Sequence, residues 1–164
     1  MSAVLPHYKQ GPANMQVSAL IFGGQLVENT TFTAGTTDLT VKPAGAASVH
    51  CLGVAGNDAN VIAAQVGAPN TYGQPLIDIS VLTDYVSVYY GGVDIFVWYS
   101  AACTQGIKLL CTANGTVGPA GAGPAADQVV GICTAPGGVA AGQLTQQIGG
   151  TGAASFYLGR ARIF

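Results

Sequence analysis

Charge is what this chain has least of. Its 164 residues include five Lys/Arg and seven Asp/Glu, so 7% carry a formal charge, against about 25% in an ordinary soluble domain. Either neutral polar groups such as Thr30, Thr31, Thr33, Thr36, Thr37, Gln143, Gln146 and Gln147 keep the surface wet, or other protein covers much of it. We expect both. Basic residues are scattered at Lys9, Lys42, Lys108, Arg160 and Arg162. They form no stripe able to neutralise phosphates, which argues against direct nucleic-acid binding.

Long apolar runs are missing too. Asp78, Asp84, Asp94 and repeated glycines break every hydrophobic stretch well short of the ~20 residues a spanning helix requires. No membrane partner is expected. The opening MSAVLPHYKQGP lacks a basic start followed by an apolar run, so a cytoplasmic beginning is expected.

Catalytic groups are equally thin. Of the two histidines, His7 lies in the N-terminal tail, and His50 adjoins Cys51 with no second histidine at ligand spacing. The four cysteines (Cys51, Cys103, Cys111, Cys133) form no C-x-x-C pair and sit in strand-like apolar surroundings. They read as buried reduced thiols. Carboxylates fall where capping, turn closure or strand patterns explain them, and an Asp78/Asp94 pair or a thiol dyad with His50 has no local support. Neither a phosphate-binding G-x-x-x-x-G-K-[ST] nor a dinucleotide fingerprint is present. An enzyme, a metal and a cofactor are therefore not expected.

What the chain does have is apolar mass and glycine: 49% hydrophobic residues and 24 glycines. From Ala19 onward it reads as short β segments, SALIFG, DLTVKP, SVHCLGVA, LIDISVL, YVSVYY, VDIFVWY, GIKLLCTA, DQVVGICTA and SFYLGRARIF. Gly91-Gly92, between YVSVYY and VDIFVWY, predicts a hairpin at the centre of a sheet. At most one short helix is expected, with Asp58–Val66 as the best candidate, and Gly115–Ala126 reads as a surface loop. The fold class is thus mainly β: a compact barrel or sandwich of short strands with an extended N-terminal arm. Pro6, Gly11 and Pro12 keep the arm, residues 1–17, out of any regular core, leaving residues 18–164 as a single β-rich domain.

An internal echo runs through the pattern. GGQLV (23–27) followed by VHCLGVAGNDA (49–59) parallels QGIKLLC (105–111) followed by QVVGICTAPGG (128–138). Each goes from a Gly-led strand through an excursion to an apolar strand with a central glycine, which suggests a duplicated β motif. Tyr89, Tyr90, Trp98 and Tyr99 form the densest aromatic cluster. It reads as packing into the core and across a subunit interface, with a sugar or peptide site as the alternative.

The arm MSAVLPHYKQGP, the GGQLVE strand, VKPAGAASVHCLGVAGNDA, YGQPLIDIS running into YYGGVDIFVWY, and the order GIKLLCTANGTV…DQVVGICTAPGG together resemble the capsid decoration, or cement, proteins of tailed bacteriophages, those of actinobacterial phages in particular. The resemblance implies a structural protein on the outer capsid surface of the virion, assembled in the host cytoplasm. It would be a homotrimer at three-fold and local three-fold positions, stabilising the expanded head. Its partners would be the major capsid protein and itself, with the arm residues Leu5, Pro6, His7, Tyr8 and Lys9 contacting the shell. Another virion component of tail or minor head type, and a carbohydrate-binding adhesive β module, are the alternatives.

Overall fold

A computed structural model describes residues 12–30, 40–61, 82–146, 148 and 155–164. Among them the chain is mainly β, as expected, with ten short strands and a few 3₁₀ turns. Strands β1 (Ala13–Val17), β2 (Leu26–Asn29), β3 (Thr40–Pro43), β4 (Cys51–Ala55) and β5 (Tyr85–Tyr89) close into a barrel in the order β1-β3-β2-β4-β5. Strands β6 (Asp94–Tyr99), β7 (Lys108–Cys111), β8 (Val117–Pro119), β9 (Val129–Cys133) and β10 (Tyr157–Ile163) close a second in the order β6-β8-β7-β9-β10. The two orders are the same.

The duplication extends to single residues. β1 and β3 pair in parallel, as do β6 and β8; all other pairs are antiparallel. The β2–β4 register slips between Val27 and Glu28, and the β7–β9 register slips between Leu109 and Leu110. Ser18 N–H donates to Val41 O at 2.9 Å, and Ser100 N–H to Val117 O at 2.9 Å. Both serines then join a threonine ladder: Ser18 Oγ lies 2.9 Å from Thr30 Oγ1, which lies 3.1 Å from Thr40 Oγ1. In the second barrel Ser100 Oγ lies 2.8 Å from Thr112 Oγ1, which lies 2.6 Å from Thr116 Oγ1. Gly24 and Gly106, at φ 88° and 83°, turn the chain at equivalent points in the left-handed region that glycine enters without steric penalty. The echo between 23–27 and 105–111 is the trace of this repeat.

Alternation decides which side chains fill each barrel. On β5, Val86 and Val88 are buried while Tyr85 and Ser87 turn outward; on β6, Val97 and Tyr99 are buried. Gly159 on β10 makes room for aromatic packing: a Cβ there would meet the Tyr157 and Tyr99 rings. Gly53 on β4 and the equivalent Gly131 on β9 let a neighbouring strand approach, since a Cβ would collide with the carbonyls of Tyr89 and Arg162 respectively.

The two barrels share one core. Leu26, Ala44 and Val54 of the first pack in the same buried cluster as Val97, Tyr99, Leu109 and Val117 of the second. A smaller cluster, including Val17, Ile21, Val41, Val86 and Val88, lies within the first barrel alone. Hydrogen bonds lace the seam on two sides. On one, Trp98 N–H donates to Gly24 O at 3.2 Å and Trp98 Nε1–H to Gly23 O at 2.7 Å. On the other, Gly115 N–H donates to Ala44 O at 2.7 Å, Ala47 N–H to Cys111 O at 2.8 Å, and Gln25 Nε2–H to Asn114 O at 2.8 Å.

Four expectations are corrected. Gly91-Gly92 does not close a hairpin: β5 pairs with β1 and β4, β6 with β10 and β8, so the turn carries the chain from one barrel to the other. The turn packs on the end of β10, for Gly91 lies against the Phe164 backbone and Gly92 N–H donates to Ile163 O at 2.6 Å. The arm assigned to residues 1–17 gives up Ala13–Val17, which are β1 and pair with β3 and β5. The helix expected at Asp58–Val66 is not helical over 58–61, where Ala59 instead bridges Ile21; the remainder lies outside the described residues. The loop expected at Gly115–Ala126 contains β8, whose Val117 and Gly118 are buried beside β7. The LIDISVL strand lies outside the described residues except for Leu82.

Candidate functional site

The outward face of β6 and β10 gathers two aromatic side chains and both arginines of the chain. Strand alternation points Asp94, Phe96 and Trp98 away from the barrel interior, and the antiparallel register sets them opposite Arg162, Arg160 and Leu158. Phe96 is 55% exposed. Arg160 stands opposite it on the surface, and Arg162 Nη2 reaches Asp94 Oδ2 at 2.9 Å. That guanidinium holds the Asp94 carboxyl below its ordinary range. Trp98 and Leu158 fold down over Gly24.

Beside this face a groove of about 540 Å³ opens along the seam. Gly23, Gly24, Gly56 and Tyr89 form one wall, Val93, Ile95 and Phe96 the other. Close packing shapes that first wall: a Cβ at Gly24 would press on Leu158 and Trp98, and a Cβ at Gly56 would strike the Tyr89 ring. Exposed Tyr90, Val93 and Phe164 continue the apolar surface around it.

The predicted aromatic cluster is divided by this arrangement. Tyr89 lines the groove and Tyr90 is exposed near it. Trp98 is half-buried, its ring edge committed to Gly23. Tyr99 is fully buried and donates its hydroxyl to Arg160 O at 2.9 Å; burial pushes its pKa far up, so it is a core residue. Phe96, Arg160 and Leu158 were not singled out from the sequence. The register that brings SFYLGRARIF beside VDIFVWY joins segments far apart in the chain, and alternation alone does not reveal it. The arm residues Leu5, Pro6, His7, Tyr8 and Lys9 lie outside the described residues. The chain leaves them at Ala13, which pairs with Val88, one residue from the Tyr89 wall.

The buried ionic centre lies elsewhere. Glu28 on β2 is 7% exposed, and burial opposes its charge. Hydrogen bonds from Ser48 Oγ, the Gly45 amide and Lys42 outweigh that penalty and leave the carboxyl below its ordinary pKa. Both carboxylate oxygens have structural partners, and the cluster ties the 45–48 turn to the barrel. Among the described residues no group of three or more His, Cys, Asp or Glu is placed to hold a metal ion, and no helix is long and apolar enough to cross a membrane. No protein-family model matches the chain, and comparison with curated proteins finds no significant match.

Proposed function

We propose that this chain is a structural protein of a phage virion that binds the outer surface of the expanded head and stabilises it. One observation carries the reading: the β6/β10 face exposes Phe96 between Arg160 and an Arg162–Asp94 pair, next to an apolar groove. Aromatic and arginine side chains with a thin polar rim are the composition of protein–protein contacts, in which a few such groups supply most of the binding energy. A surface with so little charge suits a subunit whose neighbours replace solvent. Weak contacts repeated over a shell hold through multivalency, and affinity for the expanded form alone would stabilise that form by mass action.

β1 begins at Ala13, which pairs with Val88 next to Tyr89 of the groove; in this reading the arm residues Leu5, Pro6, His7, Tyr8 and Lys9 would extend the contact area to neighbouring shell subunits. A homotrimer at three-fold positions is the arrangement this reading implies. The adhesive alternative is less well supported, because a sugar-stacking tryptophan offers a free ring, and Trp98 is folded onto the seam.

The test is co-sedimentation of the purified chain with expanded and unexpanded heads that lack it, followed by electron microscopy. Saturable binding to expanded heads, weakened at least tenfold by Phe96→Asp, is expected. Absence of binding to either form would refute the proposal.

A further inference from the structure

The four cysteines fall outside the repeat. Cys51 stands where the second barrel has Val129, and Cys111 where the first has Asn29. Cys103 and Cys133 stand where the first barrel has Ile21 and Ala55. The barrel therefore folds without sulfur at any of these points, and the thiols call for another explanation.

Two of them meet across the seam. Cys51 opens β4 of the first barrel and Cys111 closes β7 of the second; Cys111 belongs to the shared core cluster, Cys51 packs against it, and the two thiols are neighbours there. One turn holds both in place: Ala47 N–H donates to Cys111 O at 2.8 Å, and Cys51 Sγ–H donates to Ser48 O at 3.9 Å. Their exposures differ. Cys111 is 2% exposed, whereas Cys51 is partly open and lines a small surface cavity of about 80 Å³ with Ser48, Leu52, Val130 and Phe164. The neighbouring Cys111 side chain holds the Cys51 thiol below its ordinary pKa, while the Cys51 side chain and burial raise that of Cys111, so Cys51 is the sulfur that ionises first. Cys103 and Cys133 are also neighbours, but both are buried within one barrel, and burial pushes the Cys103 thiol up to about 12.

We propose that Cys51 and Cys111 are a redox pair that closes into a disulfide joining the two barrels, Cys51 attacking a small disulfide oxidant and Cys111 resolving the adduct. In the first step the Cys51 thiolate forms a bond to one sulfur of glutathione disulfide and expels one glutathione thiolate. In the second, Cys111 loses its proton to solvent, its sulfur attacks Cys51 Sγ, and the second glutathione leaves as thiolate. Two protein thiols are oxidised, and one glutathione disulfide is reduced to two glutathiones. This inference is independent of the virion reading.

The experiment treats the reduced full-length chain with glutathione disulfide under native conditions. Expected are loss of two hydrogens from the intact mass, a Cys51–Cys111 peptide on digestion, two thiols still titratable after unfolding, and a thermal midpoint raised by about 10 °C. Cys111→Ser should instead accumulate a glutathione adduct on Cys51, and Cys103→Ser should behave as the unmodified chain. If Cys111→Ser does not fold, Cys51→Ala, at the more open position, must abolish the cross-link. Retention of all four thiols, a Cys103–Cys133 bond in place of Cys51–Cys111, or a cross-link with no rise in thermal midpoint would overturn the proposal.

Discussion

Leu26→Ala puts the shared core to the test. Leu26 belongs to the first barrel, is 0% exposed, and packs in the cluster that holds Val97, Tyr99 and Leu109 of the second. Its backbone is fixed by the bond from Ala44 N–H to Leu26 O at 2.9 Å and by Gly115 pressed against it, so the site cannot collapse freely around a missing side chain. Fully buried Leu→Ala changes cost about 3–5 kcal/mol when the cavity persists, a large part of the roughly 5–15 kcal/mol that holds a domain folded. With a urea slope near 2 kcal/mol per molar, the midpoint should fall by about 1.5–2.5 M. Far-UV circular dichroism would follow both barrels, and fluorescence of the single tryptophan, Trp98, would follow β6. Amide exchange of β7 and β9 supplies a readout away from the seam. If the barrels are one cooperative unit, all three signals move together and each trace stays a single transition. Two transitions, with exchange in β7 and β9 unchanged from the parent chain, would refute the common core.

Gly53→Ala and Gly131→Ala should destabilise the chain to similar extents, each by about 2 kcal/mol or more, because each Cβ meets a carbonyl of the next strand at an equivalent point; matched losses in thermal midpoint are the check. Glu28 has a folded pKa below its ordinary 4.5, so its contribution is complete above that value and is lost as pH falls below it. The acid limb of a stability–pH curve should therefore flatten in Glu28→Gln. The raised pKa of Tyr99 acts in the opposite sense: its contribution is intact below the ordinary value of 10.0 and declines above it. A Tyr99→Phe chain should lose part of that alkaline dependence in the same measurement. Removal of residues 1–11 should weaken head binding while leaving the urea midpoint within about 0.3 M of the parent, since β1 begins at Ala13.

Much of the strand content is legible because it depends on local alternation. YVSVY, DIFVWY, KLLC and VVGIC each carry apolar groups at the spacing that fills one side of a strand, and each is a strand. The GGQLV/QGIKL echo was legible for the same reason: both segments solve one geometric problem, a left-handed turn leading into a buried strand. Pairing was not. Gly91-Gly92 announces a tight turn, but which partners β5 and β6 take depends on β1, β4 and β10, and no local signal carries that information. β8 was hidden by its glycine and proline, residues poor in strands yet suited to a three-residue run pressed beneath Thr112. β1 was hidden by Pro12, which precedes it and breaks nothing within it. Of the candidate site, the aromatic residues were visible and their division between core, seam and surface was not, because Trp98 and Tyr99 are sequence neighbours with opposite faces.

Closure of both barrels has a consequence for association. Among the described residues each strand is flanked on either side by another of its own ring, which leaves few main-chain groups on which a foreign strand could zip up. A companion of these barrels is read chiefly through side-chain relief. Affinity can then be adjusted one outward residue at a time while the scaffold stays unchanged.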